Sequence, residues 1–157
     1  MANFCKVDQP ITEPYHYSEC GLDGVFLLNG HRPFSTHYGE GVAIEDEDEL
    51  LHCIAMSVIN RRPIIGGKEL RFLRKRMDMT QSELPKVLRT DAKTIARWEK
   101  GHTKLSGPAD GLIRVLYLLE TGEKIEETFL EQLTDLDLDV SSPLRFEDTD
   151  EGWKNAA

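Results

Sequence analysis

The sequence predicts an α+β protein in which a small N-terminal α+β domain precedes an all-α helix-turn-helix domain of four to five helices. Two observations predict the first part: short apolar runs bounded by turn residues, and one amphipathic helical stretch, all within residues 1–65. A third predicts the second part, because residues 66–122 contain successive short helical patterns separated by capping and turn residues. The length of 157 residues suits one domain or two small ones.

Two strands are expected in the N-terminal domain. The run Val25-Phe26-Leu27-Leu28 ends at Asn29-Gly30, which is a strong turn signal, and Gly41-Val42-Ala43-Ile44 is a second short apolar run. We predict that both strands belong to one small antiparallel sheet, with a loop over residues 31–40. Residues 1–20 show little periodicity and are interpreted as loop or edge strand.

An amphipathic helix is expected after these strands. Residues 45–49 are all acidic, which favours a helix N-terminus through the helix dipole. Apolar residues then recur at helical spacing from Leu50 to Val58, and Pro63 predicts that the helix ends before it. The short linker Ile64-Ile65-Gly66-Gly67 indicates a domain boundary. We therefore divide the chain into residues 1–65, 66–122 and 123–157, the last being an acidic helix with a flexible tail after Ser141.

The net charge of −9 is unevenly distributed along the chain. Residues 66–104 carry eleven Lys and Arg against five Asp and Glu, a net charge of +6, whereas residues 1–65 carry −6 and residues 105–157 carry −9. Phosphate groups respond to local cations and not to net charge, so the basic central block favours a nucleic-acid site. On charge alone, the alternative is a solvated helical face.

The basic block begins with the pattern of one helix followed by a second, short one. Leu70, Leu73 and Met77 mark the buried face of the first helix. The segment Thr80-Gln81-Ser82-Glu83 is a capping box, in which Thr80 and Glu83 cap each other's amides, and it begins the second helix. That helix is expected to end near Leu88.

A third helix, exposed and polar at its start, is expected after a tight turn at Arg89-Thr90. It is predicted over about residues 91–100, with Gly101 as its C-terminal stop. Ile95 and Trp98 are three residues apart and are expected to face inward. Two short helices joined by a tight turn, with the second exposed, have the form that fits the major groove of DNA.

Exposed side chains of this third helix are candidates for contact with bases. Lys93 and Arg97 are one helical turn apart; arginine pairs with O6 and N7 of guanine, and lysine reaches the same acceptors. Gln81 stands at a helix N-terminus, where donors suit a phosphate. The predicted partner is double-stranded operator DNA, and the predicted contact residues are Gln81, Thr90, Ala92, Lys93, Thr94, Arg97 and Lys100. Secondary candidates on the first helix are Arg71, Arg74, Lys75 and Arg76.

The segment Met79-Thr80-Gln81-Ser82-Glu83-Leu84, followed by Thr94-Ile95-Ala96-Arg97-Trp98-Glu99-Lys100-Gly101, resembles helix-turn-helix regulators of the Cro and lambda-repressor (XRE) type. The resemblance implies a sequence-specific transcriptional repressor that occludes a promoter and carries out no chemistry. Two positions depart from the family pattern. Pro85 lies inside the second helix, where it costs about 3 kcal/mol in an ideal helix. Arg89 stands where glycine is usual. If the backbone there is left-handed, the arginine destabilises the fold by about 1 kcal/mol relative to glycine.

The segments Gly67–Lys75 and Tyr15–Asp23 are similar to parts of MqsA-type antitoxins. This resemblance implies the antitoxin of a type II toxin–antitoxin pair that represses its own operon. Residues 1–65 would then face the toxin, since their charge of −6 suits a basic partner. Two alternatives stay open: a phage or mobile-element repressor without a toxin, and a protein-interaction module that uses the acidic arms without nucleic acid.

Regulators that read palindromic operators are usually homodimers, with two recognition helices about 34 Å apart. A homodimer is therefore expected. Its predicted interface is an apolar stripe of Leu112, Val115, Leu116 and Leu119, extended by the apolar residues between Ile125 and Leu136.

No catalytic site, metal or cofactor is expected. Structural zinc sites usually carry paired ligands such as Cys-x-x-Cys, and the sequence has none. Zinc on Cys5, His16 and Cys20 stays open as the alternative to reduced, buried thiols. A nucleophilic Cys20 would need a base within reach of its sulfur, and the neighbouring Glu19 and Asp23 form no known motif.

A cytoplasmic protein with no membrane partner is expected. No apolar run approaches the length needed to cross a bilayer. Residues 1–5 also lack the basic stretch and apolar core of a signal peptide.

Overall fold

The structure is a computed structural model, and it describes residues 13–60, 64–134 and 143–156. Within these ranges the chain forms six strands and six helices. The strands are β1 (Tyr15–His16), β2 (Val25–Leu27), β3 (His31–Thr36), β4 (Gly39–Ile44), β5 (Leu144–Thr149) and β6 (Gly152–Asn155). The helices are α1 (Glu47–Asn60), α2 (Gly67–Arg76), α3 (Leu84–Leu88), α4 (Ala92–Glu99), α5 (Gly107–Thr121) and α6 (Glu127–Thr134).

The strands form two separate sheets. The larger sheet has the order β1-β2-β5-β6, with β2 and β5 parallel and the other neighbours antiparallel. The smaller sheet is the antiparallel hairpin of β3 and β4. The last two strands of the chain therefore complete a sheet that the first two begin, and the helices lie between them in sequence.

The predicted fold class is wrong in its second half. A flexible acidic tail is expected after an all-α domain, but residues 144–155 form β5 and β6, so the fold is mixed with strands near both ends of the described chain. Leu144 and Phe146 are buried, whereas Arg145 and Glu147 between and after them are exposed. This alternation is that of a half-buried strand, and the acidic composition of the segment obscures it.

The two predicted N-terminal strands exist as β2 and β4, but the prediction that they share a sheet is wrong. β4 pairs with β3, which occupies most of the predicted loop at residues 31–40. The Asn29 side chain instead joins β2 to β5: its amide donates to the Asp148 carbonyl at 2.9 Å, and its oxygen accepts from the Asp148 amide at 2.6 Å. Gly30 adopts φ +72°, and a Cβ there would lie 2.6 Å from the Trp153 ring.

The helix predictions agree better with the structure. α1 begins in the acidic segment and ends before Pro63, with Leu50, Ile54 and Val58 buried. α2, α3 and α4 lie where the three basic-block helices are predicted. α6 lies within the expected helix at 123–138; the part of that expectation after residue 134 lies outside the described residues.

A single cluster of buried apolar side chains extends through the described part of the chain. It includes Leu27 of β2, Phe146 of β5, Ile54 of α1, Ile95 of α4 and Tyr117 of α5. The predicted division at residues 65 and 122 stays a prediction. None of the described helices has both the length and the apolarity that a membrane span requires.

A buried ion pair ties the predicted linker to α5. Asp110 and Arg114 are each 2% exposed and are joined by a 2.9 Å bond from Nε to Oδ2. The Asp110 carboxylate also accepts from the Ile65 amide at 2.7 Å, and Arg114 donates to the Ile59 carbonyl at 2.5 Å. Because a buried charge is costly without partners, this network defines how α5 packs against the end of α1.

Candidate nucleic-acid interface

The start of the helix-turn-helix motif is set by the predicted capping box, which is confirmed. The Thr80 hydroxyl accepts from the Glu83 amide at 3.1 Å, and the Glu83 carboxylate accepts from the Thr80 amide at 2.8 Å. The hydrogen bonds from Thr80 hold the pKa of Glu83 below its usual range. Residues 81–83 form a turn, and regular helix begins only at Leu84.

Because α3 begins only at Leu84, the expected bend at Pro85 does not occur. The sequence places the proline inside a helix, where its ring and missing amide would bend the backbone. In the structure Pro85 lies in the first turn of α3, where an amide has no intrahelical partner and a proline is well tolerated. α3 is therefore short, with no need for a kink.

The turn between α3 and α4 is left-handed at Arg89, which has φ 54° and ψ 45°. The Thr90 amide closes the turn by donating to the Pro85 carbonyl at 2.9 Å. A non-glycine residue in this conformation costs about 1–2 kcal/mol, as the sequence predicts for a left-handed backbone here. The same geometry keeps the Arg89 side chain on the surface.

α4, the predicted recognition helix, is held at both ends and along its inner face. The Asp91 carboxylate accepts from the Thr94 amide at 2.6 Å, and this bond lowers the pKa of Asp91. Ile95 is fully buried and Trp98 is nearly so, as predicted for core anchors. Gly101 follows with φ +73° and ends the helix.

A largely buried network fixes α4 against α2. Arg74 Nε donates to Glu99 Oε1 at 2.5 Å, Arg74 Nη1 donates to the Met79 carbonyl at 2.9 Å, and Gln81 Nε2 donates to Glu99 Oε2 at 2.7 Å. Burial alone would raise the pKa of Glu99, but hydrogen bonds from Arg74 and Gln81 outweigh it and lower that pKa. The network orients the whole motif as one unit.

The network includes two of the predicted DNA-contact residues, Arg74 and Gln81. Arg74, a secondary candidate for phosphate contact, is only 8% exposed and is occupied by Glu99. Gln81 remains exposed, but one of its amide hydrogens is used by Glu99, so it links the capping box to α4. Arg76, another secondary candidate, pairs with Asp48 of α1 at 2.8 Å.

The outer face of α4 carries the main predicted contact residues. Lys93, Arg97 and Lys100 are all exposed and, at positions i, i+4 and i+7, they share one side of the helix, away from Ile95 and Trp98. Of the remaining predicted residues, Ala92 is exposed at the first turn, and Thr90 and Thr94 are half-buried beside it.

These three cations form no ion pair with the described residues. Among the residues that the structure describes, no carboxylate forms an ion pair with Lys93, Arg97 or Lys100. By contrast, Lys68 pairs with Asp23, and Arg74 and Arg76 are paired as described above. The basic block therefore divides into cations that hold the fold together and cations that are available to a polyanion.

Two further available cations lie beside α4, and sequence reasoning did not select them. Lys86 on α3 and Arg89 in the turn are both exposed. Within the described ranges neither forms an ion pair. Arg89 lies in the turn that leads into α4, and the only sequence signal for either residue is the local charge count. Both add to the exposed positive charge of the basic block.

The described residues give little basis for a metal or a thiol nucleophile. No group of three or more His, Cys, Asp or Glu side chains in the described ranges is placed to hold a metal ion. Cys5, part of the zinc alternative, lies outside those ranges. Burial raises the pKa of the Cys20 thiol, which disfavours the nucleophilic thiolate form.

Comparisons with models of protein families, with curated proteins and with solved structures find no match to this chain. The XRE and MqsA-type resemblances thus rest on the motif residues alone.

Proposed function

We propose that this protein is a sequence-specific, duplex DNA-binding transcriptional repressor that places α4 in the major groove. The observation that carries the proposal is a row of exposed cations on α4, Lys93, Arg97 and Lys100, none of which pairs with a carboxylate of the described ranges. This row stands on a helix whose orientation is fixed by the buried Arg74–Glu99 pair. Free cations on a rigid, exposed helix match what base readout needs.

The proposal assigns different tasks to the residues of this face. Lys93 and Arg97 contact base edges, with guanine O6 and N7 as the natural acceptors for the arginine. The methyl group of Ala92 suits contact with a thymine methyl. Lys100, Lys86 and Arg89 contact phosphates, which adds affinity and orientation without sequence information. Repression follows from occupancy of a promoter, with no reaction catalysed.

The narrower proposal is an antitoxin that represses its own operon from the cytoplasm. It is supported by the MqsA-type resemblance and by the acidic residues 1–65, which suit a basic toxin. A phage or mobile-element repressor without a toxin is the alternative. The neighbouring reading frame discriminates between them, since only the antitoxin requires an adjacent gene for a basic toxin protein.

DNA binding is tested by fluorescence anisotropy with a duplex from the promoter of the protein's own gene and a random duplex of equal length. We expect affinity to fall by orders of magnitude as salt rises, because bound cations displace counterions. Lys93→Ala and Arg97→Ala should each weaken binding to the promoter duplex by about 1–3 kcal/mol, and weaken binding to the random duplex less.

The matched control is Lys154→Ala, which removes an exposed cation on β6, outside the basic block. It should change the affinity for both duplexes by the same small factor. Equal losses on both duplexes for Arg97→Ala would contradict base readout, and no loss would contradict the choice of helix. An absence of binding to either duplex, or binding that is insensitive to salt, would overturn the proposal.

A further inference from the structure

The β3–β4 hairpin is an unusually exposed element for a two-stranded sheet. Most of its residues are exposed, including Phe34 at 47% and Tyr38, at the tip, which is fully exposed. Isolated two-stranded hairpins are marginally stable in water unless another element covers them. Beside the hairpin, a groove of about 540 Å³ is lined by Tyr15, Glu19, Pro33, Phe34, Glu40 and Val42, among others. We call this the hairpin groove.

One edge of the hairpin is open to a further strand. Pro33, which has no amide hydrogen, faces Val42 in the register, so this pair is one without hydrogen bonds between the strands. The Glu45 amide donates to the Gly30 carbonyl at 2.9 Å, which agrees with the same alternation. The amides and carbonyls of Glu40, Val42 and Ile44 therefore point away from β3.

The two edges of the hairpin differ in what they can accept. On β3, Pro33 removes the central outward amide, and a proline at an edge is a known barrier to strand addition. On β4, the outward positions hold ordinary residues. No hydrogen bond from the described parts of the chain reaches their amides on the open side. The geometry thus leaves β4 as the edge that can pair.

The charge of the hairpin groove selects the partner. Among the described residues, its lining contains two carboxylates, Glu19 and Glu40, and no Lys or Arg. The Tyr15 hydroxyl donates a hydrogen bond to the Glu19 carboxylate, and the Tyr15 ring stacks on His31 with 5.2 Å between ring centroids. Two aromatic rings therefore lie beside the Glu19 carboxylate. Such a surface repels nucleic acid and accepts the aliphatic stem and cationic head of a lysine or arginine.

We propose that the hairpin groove binds an extended basic segment of a partner protein, which adds to the free edge of β4 as a third strand. Its backbone pairs with Glu40, Val42 and Ile44, and its alternate cationic side chains lie against Glu19 and Glu40. The proposal does not rest on DNA binding, which uses α4. The charge of residues 1–65 predicts a basic partner, and this proposal assigns that partner a binding surface.

The probe is a labelled heptapeptide of alternating lysine and valine, with an equal peptide of alternating glutamate and valine as its control. Binding to the full chain is measured by fluorescence anisotropy at low salt. We expect saturable binding of the lysine peptide and at least about tenfold weaker binding of the glutamate peptide, because the charges are reversed. Equal binding of both peptides, or binding of neither, overturns the proposal.

Two proline variants test strand addition itself. Val42→Pro removes an outward amide of β4 without removing a bond to β3, and should weaken the lysine peptide about tenfold. Ser35→Pro, at another residue of the groove lining, removes the outward amide of β3 in the same way and should weaken the lysine peptide much less than Val42→Pro does. The reverse ranking, or equal effects, would contradict pairing along β4.

The charge contribution is tested by the double variant Glu19→Gln and Glu40→Gln, which should weaken the lysine peptide about tenfold. All variants should keep the thermal midpoint and the promoter affinity of the parent protein. Loss of peptide binding with intact promoter binding supports the proposal independently of the DNA-binding function. Peptide affinity that is unchanged in the double variant overturns the assigned role of the two carboxylates.

Discussion

The first residue of α2 has no room for a side chain. A Cβ at Gly67 would overlap the Trp98 carbonyl oxygen and lie 2.7 Å from the Glu99 carbonyl oxygen. Both atoms belong to the backbone at the end of α4, so neither can rotate away. Gly67 therefore allows the close approach of α2 and α4 on which the position of the exposed face of α4 depends.

We expect Gly67→Ala to destabilise the protein by about 1–3 kcal/mol, since the two helices must separate to accept the methyl group. Gly111→Ala is the matched control, because nothing lies within 4 Å of a Cβ at that helical position. It should stabilise the protein by up to about 1 kcal/mol through helix propensity. Urea unfolding measures both, and equal effects of the two changes would show that the contact between α2 and α4 is looser than described.

Arg74 marks the limit of sequence reasoning at this scale. From the sequence, Arg74 is expected to be a surface cation, because it lies in a run of basic residues on α2. In the structure it is buried against Glu99. The partner is 25 residues away, on a different helix. By contrast, Thr80 and Glu83 are three residues apart, so their mutual capping could be predicted from spacing alone.

At the scale of elements, α5 combines a buried face with an unpartnered apolar one. Ile113 and Tyr117 lie in the core, whereas Leu112 is 42% and Leu119 is 64% exposed. Val115 and Leu116 lie on the same side as the two exposed leucines and are half-buried. The stripe is the one that the sequence predicts as a dimer interface, and its exposure supports the proposal that a second copy covers it.

We expect the parent protein to be a dimer in sedimentation velocity at micromolar concentration and Leu119→Glu to be a folded monomer, because a charge on both copies would oppose burial of the stripe. Affinity for a palindromic promoter should fall in the variant more than affinity for a half-site. Tyr38→Glu, which replaces an exposed aromatic residue at the tip of the β3–β4 hairpin, should leave the dimer intact. A parent protein that is monomeric with and without DNA contradicts the interface.

At the scale of the whole molecule, the C-terminal hairpin closes the structure over its N-terminal part. β5 lies beside β2, and the Trp153 side chain of β6 is 5% exposed and donates from its indole nitrogen to the Glu45 carbonyl at 2.8 Å. Asn155 also bonds Ser57 of α1 at 3.2 Å. Residues near the end of the chain thus stabilise the sheet and helix at its beginning.

Trp153→Ala should lower the free energy of unfolding by about 3–5 kcal/mol, because it leaves a cavity between α1 and the sheet. Lys154→Ala changes the next residue of the same strand, which is exposed, and should cost less than about 1 kcal/mol. Chemical denaturation monitored by circular dichroism compares the two. If both variants unfold at the parent midpoint, β6 contributes nothing to the stability of the N-terminal unit.

The sequence by itself determined the features that depend on neighbours a few residues apart. These are the helical periods of α1 and α2, the capping box at Thr80, the tight turn at Arg89-Thr90, and the buried anchors Ile95 and Trp98. Each follows from a local rule of spacing or backbone geometry, so each could be read without knowing the fold.

Only the tertiary structure decided which strands pair and which cations remain free. Asn29 meets Asp148 across 119 residues of sequence, and β2 pairs with β5 although acidic residues dominate the last part of the chain. Pairing between strands and salt-bridge partnership depend on surfaces that come together only when the core forms, since many strand orders satisfy the same local pattern. Local spacing could therefore predict the exposed helix α4 but not the sheet in which β5 and β6 join β1 and β2.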